Sequence, residues 1–278
     1  MPQPLRMTIL CEDQARMGFL DKKFSAQHGL AIFISAECDI LFDTGPSEVI
    51  LANAGLSAID LHSAQWIVLS HGHWDHTDGL PALAGAGVRP RLLAHPEVFA
   101  DRYRPSGEYN GMAMPRSSAA AAFALHESCG PFRLTETVWF LGEIPRRNDF
   151  EAKTTPFYRM ENGQRRPEHL PDDTALAITT PEGLVVVTGC SHAGICNICE
   201  QARQVTGEDR LHTVVGGFHL LQCDDVLEKS IAYFRERNVA RLLPMHCTAL
   251  PALARFHAAF GIEKACTGDV IEIPAGRA

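Results

Sequence analysis

The chain reads as an α/β protein, on three observations. Short apolar runs recur along it, each closed by turn residues and several followed by a helical pattern. Histidines and acidic residues gather in the loops just after those runs, where open α/β sheets place ligands. From Thr174 onward the pattern of the first half begins again, as the second half of an internal pseudo-repeat.

Length and composition set the frame. The 278 residues suffice for one large α/β domain, and no Gly, Ser or Pro linker divides them. Hydrophobic residues make up 46%, enough for a sizeable core. No run reaches the roughly 18 apolar residues of a membrane span. Met1–Arg6 is not followed by the apolar core of a signal peptide. A net charge of -8 argues against nucleic acid and for a small-molecule substrate, with no membrane partner expected and homo-oligomerisation left open. The nine cysteines are scattered without a framework, which fits a reducing cytoplasm.

In chain order, Met7–Leu10, Leu30–Ser35 and Cys38–Phe42 read as strands whose apolar character suits burial on both faces. Glu48–Ala54 and Asp60–Ala64 read as helical turns. Trp66–Leu69 is a buried strand, and Ser70-His71-Gly72-His73-Trp74-Asp75-His76 follows it directly. Neutral imidazole and carboxylate are ligands that zinc and similar divalent metals prefer. His71 and His73 can therefore converge on one metal while Asp75 and His76 face a second. Leu80–Ala84 is a short helix and Arg91–Ala94 a strand closed by His95. His95 reads as a structural residue or as one approaching the site, and His28 as either site-facing or surface.

The segment from about residue 100 to 170 is rich in turn residues and poor in periodicity, apart from the Ala119–Ala122 helix signal and a strand at Val138–Leu141. It reads as an insertion covering the site. Ala175–Thr179 and Leu184–Thr188 form a hairpin through Pro181-Glu182-Gly183. Leu211–Val215, Val239–Met245 and Val270–Ile273 are further strands. Asp224–Asn238 is a helix with a core-facing stripe of Leu227, Ile231 and Phe234, and a last helix turns Leu253, Phe256 and Phe260 inward. Cys196 and Cys199 form a CxxC that reads best as small buried residues in a helix.

The motif His71-x-His73-x-Asp75-His76 resembles the signature of the metallo-β-lactamase superfamily. Leu41-Phe42-Asp43-Thr44-Gly45, Thr188-Gly189-Cys190-Ser191-His192-Ala193-Gly194 and Gly216-Gly217-Phe218-His219-Leu220 narrow the likeness. They resemble the subgroup containing the methanogen dihydropterin–ribofuranosylaminobenzene phosphate synthase and related metal-dependent hydrolases. The resemblance implies a four-layer αββα sandwich forming a single domain over 1–278, with the insertion over the active site.

The resemblance also implies two divalent metal ions, zinc first, with manganese or iron as alternatives. His71, His73, Asp75, His76, His192 and His246 are the implied ligands, and Asp43 orients one of the histidines from beneath. The sequence departs from the superfamily pattern twice. Pro171, beside Asp172 and Asp173, stands where a histidine is usual, and Cys190 where a bridging aspartate is usual. Cys190 and Asp173 are therefore alternative ligands beside His192. Asp75 and His219 are the expected catalytic residues. Arg146, Phe150 and His219 are expected to bind substrate, with Phe157 and Tyr158 as further stacking aromatics.

The function expected from this is hydrolysis of an ester, a phosphoester in view of the arginines, by water activated at a dinuclear metal site. Two alternatives compete with it: a pterin-type synthase displacing pyrophosphate, and a non-catalytic or di-iron redox protein.

Overall fold

Two sheets, each with helices packed on it, account for most of the chain in this computed structural model, which describes residues 4–17 and 23–274. Residues Met1–Gln3, part of the stretch read above for a leader, lie outside the described residues.

The elements run β1 (Leu5–Cys11), β2 (Ala31–Ser35), β3 (Asp39–Phe42), α1 (Val49–Leu56), β4 (Trp66–Val68), α2 (Trp74–Thr77), α3 (Leu80–Gly85), β5 (Arg91–Ala94), α4 (Arg116–Ala122) and β6 (Ala124–Glu127). There follow β7 (Phe132–Arg133), β8 (Val138–Phe140), β9 (Tyr158–Glu161), β10 (Gln164–Pro167), β11 (Ala175–Thr180), β12 (Gly183–Thr188) and α5 (Ile195–Thr206). The chain closes with β13 (Leu211–Gly217), α6 (Asp225–Glu236), β14 (Arg241–Met245), α7 (Leu250–Phe260) and β15 (Val270–Ile273).

The chain divides into two compact units that alternate along the sequence. Among the described residues, the first comprises 4–17, 23–129, 154–172 and 266–274. Its seven-stranded sheet runs β15-β1-β2-β3-β4-β5-β6, antiparallel as far as β3 and parallel from β3 onward. Strands β3, β4 and β5 are almost wholly buried, and helices α1 and α3 bring Ile50, Ala54, Leu80 and Leu83 into the core built on them. Because β3 and β4 are parallel neighbours, their C-terminal ends lie side by side. Asp43 and the histidine loop are thus delivered to the same edge, and Asp43 N donates to Val68 O at 2.9 Å.

The second unit comprises residues 130–153 and 173–265. Its six-stranded sheet runs β14-β13-β12-β11-β8-β7. The expected hairpin is present, with Ala175 opposite Thr188 and Thr180 opposite Gly183. Strands β12, β13 and β14 are parallel, so three consecutive strand-end loops again share one edge. Helix α5 packs Ile195, Ile198, Cys199 and Ala202 into this unit's core, and α6 adds Leu227, Ile231 and Phe234 as its periodicity requires. Asp224 caps α6 by accepting from Leu227 N at 3.0 Å.

The segment 100–170, read from the sequence as one irregular insertion, divides between the units. Helix α4 and β6 extend the first sheet, β7 and β8 extend the second, and β9 pairs with β10 in a separate hairpin. The physical reason is that β6 and the hairpin are half-exposed or exposed elements without apolar runs, so their strand character leaves no hydrophobic signature.

Candidate metal centre

In the first unit the loop after β4 folds into a buried cluster. His71, His73, Asp75 and His76 are all buried. His71 Nε2 lies 3.0 Å from His73 Nδ1, and the rings of His71 and His76 lie tilted to one another with centroids 4.3 Å apart. Asp75 Oδ2 is 3.8 Å from His76 Nε2. The loop can turn this tightly because Gly72 has no side chain: a Cβ there would lie 2.0 Å from the Val98 carbonyl oxygen.

Asp43 sets the orientation. Its fully buried carboxylate accepts from Ser70 N and Ser70 Oγ, both at 2.7 Å, and lies 2.7 Å from His76 Nδ1. Ser70 Oγ in turn sits 2.9 Å from His71 Nδ1. With Nδ1 of His76 engaged by a carboxylate, Nε2 is the nitrogen left to ligate. Asp43 takes a positive φ of 55°, a left-handed conformation that costs a non-glycine residue on the order of 1 kcal/mol. The surrounding hydrogen bonds hold it there.

Several neighbours complete this half. His28, half-exposed, bridges two carboxylates: its Nδ1 is 3.1 Å from Asp13 Oδ2 and its Nε2 is 3.5 Å from Asp75 Oδ2. Phe157 packs edge-on to His73 with centroids 4.8 Å apart. Asp172 accepts from Gly72 N at 2.8 Å and pairs with the buried guanidinium of Arg102, whose Nη1 lies 2.8 Å away. The carboxylate beside the unexpected Pro171 thus braces the histidine loop through its backbone. His95 is the N-cap of a short turn, its Nδ1 accepting from Glu97 N at 3.1 Å, so it serves the loop structurally.

The second unit carries the other predicted residues, on the shared edge of β12, β13 and β14. Ser191, His219 and His246 all have positive φ values, 58°, 50° and 45°. Strained non-glycine residues repeated in three adjacent loops are characteristic of functional edges. His192 and His219 rings lie 4.4 Å apart. Asp173 Oδ2 accepts from Ala193 N at 2.8 Å, which anchors the loop carrying His192. Cys190, His219 and Cys247 each offer a ligand atom, all within 4.8 Å of one another.

Burial opposes charge on His219, but its hydrogen bond to Cys247 and the pull of that neighbour's charge leave the imidazole pKa raised. Burial likewise opposes the Cys247 thiolate. Hydrogen bonds from Cys190 and His219, with the charge of His219, nonetheless hold this thiol well below the ordinary thiol value. Cys247 carried no signal in the sequence, being a single cysteine after a histidine.

Phe150, expected at the substrate, packs against the second unit's core with Lys229 Nζ 5.7 Å from its ring, so apolar burial accounts for it. Arg146 is exposed. Cys196 and Cys199 are buried in α5, and burial pushes both thiols well above the ordinary range, as suits core packing rather than redox exchange.

The residues present fit a divalent metal. In the first unit, buried imidazoles with their rings in contact and a neighbouring buried carboxylate form a nitrogen and oxygen donor set of the kind zinc, manganese and iron accept.

Comparison with known proteins agrees with this reading of the residues. A β-lactamase superfamily domain matches residues 39–182. The 7,8-dihydropterin-6-methyl-4-(β-D-ribofuranosyl)-aminobenzene-5'-phosphate synthase of Methanocaldococcus jannaschii is 31% identical, over 96% of each chain. A solved metal-dependent hydrolase of the β-lactamase superfamily is 32% identical, with a TM-score of 0.84 over 97% of this chain and 99% of that one. A diphosphatase of the PhnP family shares the fold at a TM-score of 0.57 and 13% identity, over 98% of each chain. With the strand-end histidine loop, its buried aspartate and these relatives in agreement, the chain belongs to the metallo-β-lactamase superfamily and has its fold.

Proposed function

We propose that the protein is a metal-dependent hydrolase acting on an ester, with phosphoesters as the substrate class. The observation that carries this is the buried His71–His73–Asp75–His76 cluster with Asp43 behind it. We assign His71, His73 and His192 to one metal ion, and Asp75, His76 and His246 to a second. Zinc is the expected ion, because the donors are imidazole and carboxylate.

A pair of divalent ions supplies Lewis acidity for the substrate oxygen and acidifies a water molecule. The chain's own residues do the rest. Asp43 and Ser70 fix the tautomers of His76 and His71. Asp172 and Arg102 hold the loop backbone in place. Asp75, steadied by His28, orients the attacking water. Phe157 forms an apolar wall beside His73 that excludes bulk water. Arg146 is the cation proposed to meet an anionic group on the substrate. All nine cysteines are thiols, which supports a reducing compartment such as the cytoplasm.

A second reading follows from the 31% identity to the synthase: condensation with loss of pyrophosphate from a pterin substrate. Both displacements develop negative charge on a leaving oxygen, so one site suits either.

The test is metal content and turnover together. Wild-type protein is expected to hold about two metal ions per chain and to cleave bis-p-nitrophenyl phosphate. His73→Ala and His192→Ala are each expected to lose metal and turnover. A metal-loaded protein inert to phosphoesters, but releasing pyrophosphate only when pterin pyrophosphate and an arylamine are both supplied, would put the synthase reading first. Wild type with no bound metal would end both.

A further inference from the structure

We propose that Trp74 and His28 form an aromatic recognition site beside the histidine loop, which takes a planar aryl or heteroaryl ring carried by the substrate. The proposal rests on the hydrolase reading for the reacting group and names the group next to it. Trp74 stands between His73 and Asp75, both buried, yet its own side chain is only half-buried. Its ring centroid lies 6.1 Å from that of His28, with the planes tilted by 50°. His28 Nε2 lies 3.5 Å from Asp75 Oδ2, so the aromatic pair adjoins the carboxylate that orients the attacking water.

The segment carrying His28 is seated on the histidine loop. Asp13 Oδ1 accepts from Gly29 N at 3.3 Å, while Asp13 Oδ2 meets His28 Nδ1 at 3.1 Å. Leu30 N donates to the Asp75 carbonyl oxygen at 3.3 Å. Gly29, at a φ of 152°, makes that approach possible: a Cβ there would lie 2.3 Å from the Asp75 carbonyl oxygen and 2.7 Å from Pro46 Cδ. The half-exposed imidazole is thus clasped at backbone and ring before any ligand arrives, so little ordering cost remains at binding.

The neighbouring aromatics are committed to other contacts. Tyr158 stacks on Tyr103 with centroids 5.5 Å apart and planes within 20°, and the Arg165 guanidinium covers it at 4.3 Å. Phe157 packs edge-on to His73. The stacking role expected of Tyr158 therefore passes to Trp74. An indole face favours an aromatic partner over an alkyl chain, because ring pairs gain from offset and edge-to-face contact beyond the area they bury.

Calorimetric titration of the full-length protein as purified, with phenylphosphonate and with methylphosphonate, tests the site. Both probes would be used at a pH where they carry the same charge. Neither hydrolysis nor condensation consumes a phosphonate, so binding is read apart from turnover. Wild type is expected to hold the phenyl probe roughly tenfold more tightly than the methyl probe. Trp74→Leu should bring that ratio close to unity, and His28→Ala should lower it part of the way. Trp74→Phe should keep most of it, since an aromatic face remains, which separates stacking from damage to the loop.

Equal affinities in wild type, binding of neither probe, or a preference undiminished by Trp74→Leu or by His28→Ala would overturn the site. A protein that turns over no phosphoester yet shows the Trp74-dependent preference would overturn the hydrolase reading and leave the aromatic site standing. Phosphoester turnover without that preference would do the reverse.

Discussion

Asp43 shows how much a single residue carries here. One carboxylate satisfies two donors of Ser70 and the Nδ1 of His76, within a backbone conformation few residues adopt. Asp43→Asn would keep the shape but place an amide donor against groups that already donate. By the usual cost of losing such an orienting partner, metal affinity is expected to fall about 10- to 100-fold. Competition against a chelator of known affinity would measure it, and an unchanged affinity would remove Asp43 from the metal site. In the sequence this position of Asp43 beneath a histidine was available only through the family resemblance, since Asp-Thr-Gly at a strand end suits a plain turn equally well. The nearness of His28 to Asp75 and of Phe157 to His73 was not legible there, because tertiary folding alone creates it.

Among the elements, the histidine loop and helix α5 are each held by a carboxylate from a distant part of the chain. Asp172 and Arg102 form a fully buried pair whose carboxylate also takes the Gly72 N–H. Removing one partner strands a buried charge, so Arg102→Met is expected to destabilise the fold by about 3–5 kcal/mol. The Arg102→Met/Asp172→Leu double variant should recover part of that loss, as measured by urea denaturation. A double variant no better than the single would show that the loss lies in packing or in the Gly72 contact.

Helix α5 begins after Gly194, and Glu151 supplies the cap its own sequence lacks. The Glu151 oxygens accept from Cys196 N and Asn197 N, each at 3.0 Å, and from Asn148 Nδ2 at 2.6 Å. Burial pushes Glu151 above the usual carboxylate range, against the pull of those hydrogen bonds. A raised folded-state value means that the native protein binds the proton more tightly than the unfolded chain does. Glu151 therefore adds stability below its unfolded value of about 4.5, lost as pH rises through the folded value. Glu151→Gln should flatten that part of the stability–pH curve. An identical slope in thermal melts of both proteins would assign it to other groups.

For the molecule as a whole, metal and stability are linked if the cluster binds in the folded state only. At a free metal concentration 100 times its dissociation constant, one ion adds about 2.7 kcal/mol. Chelation should therefore lower Tm, and readdition restore it. A Tm indifferent to chelator would mean that the cluster holds no ion tightly.

At this scale the sequence was informative wherever hydrophobic runs or ligand spacing recorded the fold, as at Trp66–His76 and Ala175–Thr188. It was silent where strands are exposed. Strand β6, Ala-Leu-His-Glu, joins the first sheet without an apolar run. The β9–β10 hairpin did leave a trace in Asn162-Gly163, whose positive φ values of 51° and 75° suit a tight turn.

The order of strands in the first sheet also bears on how the chain is made. Strand β1 is the first strand among the described residues, yet its outer partner, β15, is the last of them. During synthesis β1 emerges well before β15, and its outer row of backbone donors and acceptors stays unpaired until Val270–Ile273 is translated. A ribosome that stops short of Val270 releases a product with an open sheet edge along Leu5–Thr8, a template for joining other chains. The fold thus ties quality control of the nascent protein to β15, because only a chain translated through Ile273 can seal that edge.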